Sequence, residues 1–212
     1  MTTPCLLSLR CKFHPFLYAD PDSASAMADF SLSYSKATIY DASMLQSFVE
    51  AGFRASDTRP GWTGDLPQLN ATFTMDLKAL QAELINPDGA ILIAREDSLS
   101  DSVVACFNIA RKSSDVARFA WFVVAKEYQQ RGIGRKVLAY AEEYAQRTWN
   151  SVRKLELNAL SNRRELISWY ERNGYSRTGV VIPFPANIHP IESLPANLGF
   201  VMLEKDLRVR QN

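Results

Sequence analysis

Histidine is nearly missing from this chain: there are two in 212 residues, His14 and His189. One falls in the N-terminal stretch and the other between prolines late in the sequence, so a Ser-His-Asp or Cys-His device has little to be built from. Cysteine is almost as scarce. Cys5, Cys11 and Cys106 are too few for a disulfide framework and suit a reducing compartment, the cytoplasm. Cys5, Cys11 and His14 lack a fourth metal donor, so no metal is expected. No apolar run approaches the roughly 18 residues of a membrane span. The net charge of +1 gives no reason to expect nucleic acid or a membrane surface as a partner. Two phosphate motifs are also absent: there is no Gly-Lys-Ser/Thr of a P-loop and no third glycine of a dinucleotide fingerprint.

What remains is an ordinary globular composition, 47% hydrophobic and 22% charged, at a length that suits one domain. Residues 1–33 read as an extension, expected to be mobile, ahead of a domain at 34–212. Arg10 and Lys12 without a nearby acid hint at a presequence. Its spacing is not amphipathic, however, and an upstream extension with Met27 as the start reads better. Ala37-Thr38-Ile39-Tyr40 is expected as a strand. Asp41 then caps a helix carrying Met44, Leu45, Phe48, Val49 and Phe53. After a loop over 56–68, Leu77, Leu80, Leu84 and Ile85 mark a second helix. Strands are expected at 90–94 and 102–110.

The most informative stretch is Phe119 to Val137. Phe119-Ala120-Trp121-Phe122-Val123-Val124 is a continuous apolar run, as in a strand covered on both faces. After Lys126-Glu127-Tyr128 comes Gln129-Gln130-Arg131-Gly132-Ile133-Gly134-Arg135-Lys136. From Ile133 onward Val137, Leu138, Ala141, Tyr144 and Ala145 fall on one helical stripe. Two glycines at a helix start bring bare N–H groups and the positive helix end to one place, and Arg131, Arg135 and Lys136 add charge. This is an anion site, suited to a phosphorylated ligand.

Further on, Leu155, Leu157 and Ala159 alternate with Lys154, Glu156 and Asn158, a strand with one polar face. Asn162-Arg163-Arg164-Glu165 resembles a capping box, followed by a helix with Leu166, Ile167 and Tyr170 that Gly174 ends. Strands close the chain at 176–182 and 199–207, joined by the proline-rich loop 183–195. A parallel pair joined by the Gly132 helix, inside an otherwise antiparallel sheet, makes a mixed α/β (α+β) fold.

Gln129-Gln130-Arg131-Gly132-Ile133-Gly134 resembles the acyl-CoA signature of the GCN5-related N-acetyltransferases (GNAT), Gln/Arg-x-x-Gly-x-Gly/Ala. Leu160 to Tyr175, with Trp169-Tyr170 and Gly174-Tyr175, looks like the family's second block. Within it Glu165-Leu166-Ile167-Ser168-Trp169-Tyr170-Glu171-Arg172, followed by Thr178-Gly179 and Pro183-Phe184-Pro185, is similar to one subgroup. Gly61-Trp62-Thr63-Gly64-Asp65 matches that subgroup's early element, with Asp65 in place of its glutamate. The resemblance spans Tyr34 to Leu207.

It implies the GNAT fold, a mixed and mostly antiparallel central sheet of about six to seven strands flanked by about four helices. It further implies acetyl transfer from acetyl-CoA, the cosubstrate, to a primary amine of a small molecule by direct attack, in a monomer or homodimer. On this pattern the backbone of Phe122, Val123 and Val124 binds pantetheine as an added strand. Gln129, Gln130, Arg131, Gly132, Ile133, Gly134 and Arg135 take the pyrophosphate. A backbone N–H near Val123 or Val124 faces the oxyanion, and Tyr170 is the general acid for the departing thiolate. The bland alternative for Tyr170 is a core aromatic beside Trp169. No carboxylate lies on 119–125, so Asp65 is the candidate base, against a solvated loop acid. Asn158 and Asn162 are expected to hold cofactor or water. Trp62, Phe53 and Phe184 are candidate walls for the acceptor. An acetyltransferase of protein lysines or N-termini and a silent acyl-CoA-binding domain remain open.

Overall fold

The computed structural model describes residues 31–55, 59, 61–62, 66–97, 102–185, 194–195 and 197–208. The expectations for 1–30 and for Asp65 fall outside the described residues. Seven strands form one sheet in the order β1-β2-β3-β4-β5-β7-β6. The strands are β1 (Leu32–Lys36), β2 (Gly89–Glu96), β3 (Val103–Arg111), β4 (Val116–Val124), β5 (Lys154–Leu160), β6 (Ser176–Pro183) and β7 (Gly199–Asp206). Five helices accompany them: α1 (Ala42–Arg54), α2 (Pro67–Ala71), α3 (Leu77–Leu84), α4 (Ile133–Thr148) and α5 (Arg164–Arg172). Only β4 and β5, joined across α4, run parallel; every other neighbour pair is antiparallel, including β1 and β2, whose connection also holds helices. The expected mixed, mostly antiparallel sheet is the one observed.

Both faces of the sheet are covered. One face buries the α4 stripe, Ile133, Val137, Leu138, Ala141 and Ala145, against Phe107, Phe119 and Leu157. Ile167 and Tyr170 of α5 join the same cluster. The other face takes Leu45 and Val49 of α1 and Leu80 and Leu84 of α3 against Ile91, Ile93, Cys106 and Val123. Here α1 comes unusually close to β4. A Cβ added at Gly52 would stand 2.2 Å from Val123 Cγ1 and 3.2 Å from its Cβ, so rotating the valine cannot make room. Gly52→Ala should therefore push α1 off β4 and destabilise the fold by about 1–3 kcal/mol, the usual cost of overpacking. A denaturant midpoint equal to wild type would show that this contact has slack.

Three sequence expectations shift. The first strand lies at Leu32–Lys36, ahead of the expected 37–40, and pairs with β2. Thr38 instead enters a turn, its N–H and hydroxyl donating to Asp41 Oδ2 at 2.7 and 2.9 Å, and Ile39–Asp41 is a 3-10 turn leading into α1. The local side-chain bonds of Thr and Asp outcompete the strand propensity of Ile39 and Tyr40. A short α2 begins at Pro67, inside the expected loop, with proline at a helix start where its missing N–H costs nothing. At α5 the capping residue is Arg163 and no side chain closes a cap bond, so the capping-box reading fails there.

Candidate active site

The parallel ladder between β4 and β5 holds only three pairs, Val116↔Lys154, Ala117↔Leu155 and Arg118↔Glu156. Both strands continue, to Val124 and to Leu160, without pairing further. The cause sits in β4. Cys106 and Asn108 of β3 face Val123 and Ala120, so β4 carries one more residue than β3 across this interval. Trp121, at φ +50, takes the left-handed conformation that a bulge needs and L side chains avoid. A bulge bends its strand, and the β4 edge from Phe119 onward turns away from β5 with main-chain groups that have no strand partner there. Unpaired backbone at a strand edge is a template for an added extended chain.

That edge leads into the glycine turn. Val123 is buried toward α1, while Phe122 and Val124 are half-buried against the α4 side. The Gln129 side chain donates Nε2–H to Val124 O at 3.0 Å and ties the loop to the strand end. Gln130 (φ +63) and Gly132 (φ +77) then reverse the chain into α4. The N–H groups of Gln130, Gly132, Ile133 and Gly134 find no acceptor among the described residues. They collect at the positive end of a 16-residue helix, with Arg131, Arg135 and Lys136 exposed around them. Ile133 offers only its N–H, since its side chain is 1% exposed in the core.

Tyr170 is brought to the same place. Trp169 of α5 lies over Gly134 in the first turn of α4, where a Cβ would stand 3.4 Å from its ring, an ordinary contact distance. Trp169 in turn meets Phe122, with centroids 6.5 Å apart, and Tyr170 at 5.0 Å. Tyr170 is 6% exposed, and its hydroxyl makes no hydrogen bond among the described residues. Burial raises its pKa above the ordinary tyrosine value, and the Arg163 guanidinium offsets part of that rise. The Cys106 thiol is pushed up to about 12 by burial, which leaves it inert as a nucleophile.

The remaining candidates sit around this centre. Asn158 is half-buried two residues past the last β4–β5 ladder pair, at the mouth of the opening. Asn162 Oδ1 is buried without a partner. The Glu165 N–H donates to Gly61 O at 3.0 Å, anchoring Trp62 to the start of α5, and the Trp62 and Trp169 rings are 6.5 Å apart. Phe53 stacks on Phe73 at 4.5 Å, and Phe184 packs on Phe200 at 5.6 Å in a separate cluster with Leu160 and Leu198.

Two residues had no role assigned from the sequence. Asn108 is the one buried polar residue of the described core, 6% exposed beside the bulge, with Oδ1 unpartnered. Its signal was a lone amide inside the apolar run of β3. Arg163 is drawn in next to Tyr170, and only the oddness of an arginine in place of a capping serine could have flagged it. Among the described residues no group of acidic, histidine and cysteine side chains could hold a metal, and no helix is long and apolar enough to cross a membrane.

The sequence model for the acetyltransferase (GNAT) domain matches residues 87–177. No curated protein sequence matches the chain. Among solved structures, the spermidine N-acetyltransferase from Vibrio cholerae, in complex with CoA and spermine, superposes with a TM-score of 0.60 at 12% identity, covering 84% of this chain and 96% of its own. The IAA acetyltransferase from Bacillus cereus gives 0.57 at 14% identity, over 83% and 99%. A GNAT family acetyltransferase from Elizabethkingia anophelis with acetyl-CoA bound gives 0.54 at 13%, over 82% and 97%. At these identities the likeness is one of fold.

Proposed function

We propose that the chain is a GNAT acetyltransferase, the family whose domain model matches residues 87–177, and that it transfers the acetyl group of acetyl-CoA to the primary amine of a small molecule by direct attack. The observation that carries this reading is the continuity of one surface. A strand edge released by the Trp121 bulge runs into a cluster of N–H groups without an acceptor among the described residues, and Tyr170 lies in the core cluster against which Phe122 of that strand packs. Two of the similar structures hold CoA or acetyl-CoA, and one of those is a spermidine N-acetyltransferase.

Acetyl-CoA lies along β4, its pantetheine amides bonded to the main chain of Phe122, Val123 and Val124 as an added strand. Its pyrophosphate meets the N–H groups of Gln130, Gly132, Ile133 and Gly134 and the side chains of Arg131 and Arg135, with the Gln129 side chain holding the turn to β4. The free amine attacks the thioester carbon, and the oxygen that becomes negative is met by a β4 N–H near Val123 or Val124. As the C–S bond breaks, Tyr170 gives its proton to the thiolate; a hydroxyl whose pKa is raised by burial stays protonated and is still an acid toward a thiolate formed beside it. Asn158 and Asn162 hold the cosubstrate or a water. Asp65, in the Trp62 loop, is the base proposed to take the ammonium proton.

Thiol release from acetyl-CoA by the purified protein, measured against polyamines, aryl-alkylamines, aminoglycosides, amino acids and lysine or N-terminal peptides, tests the proposal, with a thermal shift for acetyl-CoA alongside. Turnover of one small-molecule class is the expected result. Turnover confined to peptides would move the acceptor to protein, and stabilisation by acetyl-CoA without any turnover would make this a binding domain.

A further inference from the structure

Arg163 stands out among the charges near Tyr170. It caps α5, and Tyr170 follows it by seven residues. Residues at that separation share a helix face and are about 10 Å apart along the axis, and helical side chains lean back toward the N-terminus, so the tyrosine ring closes much of that gap. The guanidinium charge offsets part of the rise that burial gives the Tyr170 pKa. Its surroundings do not balance its charge. Of its five donor N–H groups one is used, Nη2 to Asn70 Oδ1 at 3.1 Å; Nε is buried without an acceptor. Its face lies over Phe53, 5.9 Å from the ring centroid. Glu50 on α1 is held by Arg54 at 3.0 Å and by the Met75 N–H, and among the described residues the one titratable group that acts on Arg163 is Tyr170, neutral at pH 7. A desolvated cation without a counter-charge is costly, and a ligand anion removes that cost.

We propose that Arg163 selects the acceptor: it receives a carboxylate carried next to the reacting amine, so the preferred acceptors are amino acids and their close analogues. This rests on the acetyltransferase reading above. A carboxylate paired with Arg163 places the neighbouring amine toward Tyr170 and the end of β4, where the thioester carbon is expected. A polyamine would instead bring a second positive charge against Arg163 with no described carboxylate between them.

The test uses matched pairs, an amino acid and the amine left by removing its carboxylate: phenylalanine with phenethylamine, lysine with cadaverine, glutamate with 4-aminobutyrate, whose remaining carboxylate lies farther from the amine. In the wild-type chain kcat/KM for the acid of at least one pair should exceed that of its partner by about 10- to 100-fold, the range of a charge-assisted contact. Arg163→Gln should collapse that ratio toward one, and Arg163→Lys should restore part of it. A merely structural arginine would lower both members of a pair together. The inference is overturned if the decarboxylated amines are the better acceptors in the wild-type chain, a comparison that needs no variant to fold, or if Arg163→Gln leaves the ratio intact. Should no amine be acetylated, the transferase reading falls, and the Arg163 site is judged by thermal shift with N-acetyl amino acids against N-acetylated amines. Selective stabilisation by the acids that Arg163→Gln abolishes upholds it; equal or no stabilisation sinks it.

Discussion

Replacing Tyr170 by phenylalanine is expected to lower kcat for acetyl transfer by roughly 100-fold or more, the scale of a lost general acid, while the affinity for acetyl-CoA stays close to wild type. The substitution isolates the hydroxyl. Phenylalanine keeps the ring contacts with Trp169 at 5.0 Å and Tyr175 at 5.8 Å. The deleted oxygen makes no hydrogen bond among the described residues, so its loss strands no partner and the melting temperature should hold or rise slightly. An unchanged kcat in a folded variant would return Tyr170 to the role of a core aromatic.

The pH profile gives a second reading of the same residue. Burial raises the Tyr170 pKa above its ordinary value near 10, and the acid must be protonated to act. The protonated form is therefore complete at neutral pH and persists past pH 10, so Tyr170 contributes no alkaline fall in rate below that point. The limb that should appear is an increase of kcat/KM with pH as the acceptor ammonium loses its proton. The phenylalanine variant should keep that limb at a lower level. A decline in the wild-type rate between pH 8 and pH 10 that the variant lacks would contradict the assignment.

The parts of this site that the sequence made legible are those written into local spacing. The stripe of Ile133, Val137, Leu138, Ala141 and Ala145 fixed α4, and the glycines ahead of it marked the turn into that helix, because helix periodicity and positive φ are properties of a few adjacent residues. The opening beside β4 was not legible in the same way. Nothing in Phe119 to Val124 announces a bulge; there is no glycine or proline, and the extra residue exists only relative to the register of β3. Arg163 was hidden for a related reason, since its contacts with Asn70 and Phe53, and the absence of a carboxylate partner among the described residues, depend on α1, α2 and α5 meeting. The apolar run Val180-Val181-Ile182 belongs to the strand expected at 176–182, and nothing in its spacing says how exposed it will be. In the fold it is at the sheet edge, 54%, 52% and 45% exposed, because β6 is the last strand of the order and neither helical layer covers it. Hydrophobic pattern reports strand character; which strand ends up at an edge is decided by topology.

Gly132→Ala should separate the two ways this turn can fail. Gly132 has φ +77, and a Cβ there would meet nothing within 4 Å, so the substitution costs conformational strain alone, about 1–2 kcal/mol for an alanine held left-handed. If the turn keeps its shape, that strain appears as lost stability and the KM for acetyl-CoA is nearly unchanged. If the turn relaxes, the strain is relieved by turning the N–H groups of Gly132 to Gly134 away from their common target. Arg135 and Lys136 both donate to the Gly132 carbonyl, at 3.1 and 3.2 Å, so the start of α4 would move with it. The relaxed outcome is the expected one, because the open space around Gly132 offers no packing to resist it, and KM for acetyl-CoA should rise by about 10-fold, equivalent to about 1.4 kcal/mol. Gly132→Asn, whose side chain tolerates the left-handed region, should recover most of the loss. If alanine changes neither the melting temperature nor KM, this turn does not hold the pyrophosphate, and the contact that anchors acetyl-CoA must lie with Arg131, Arg135 and Lys136 instead.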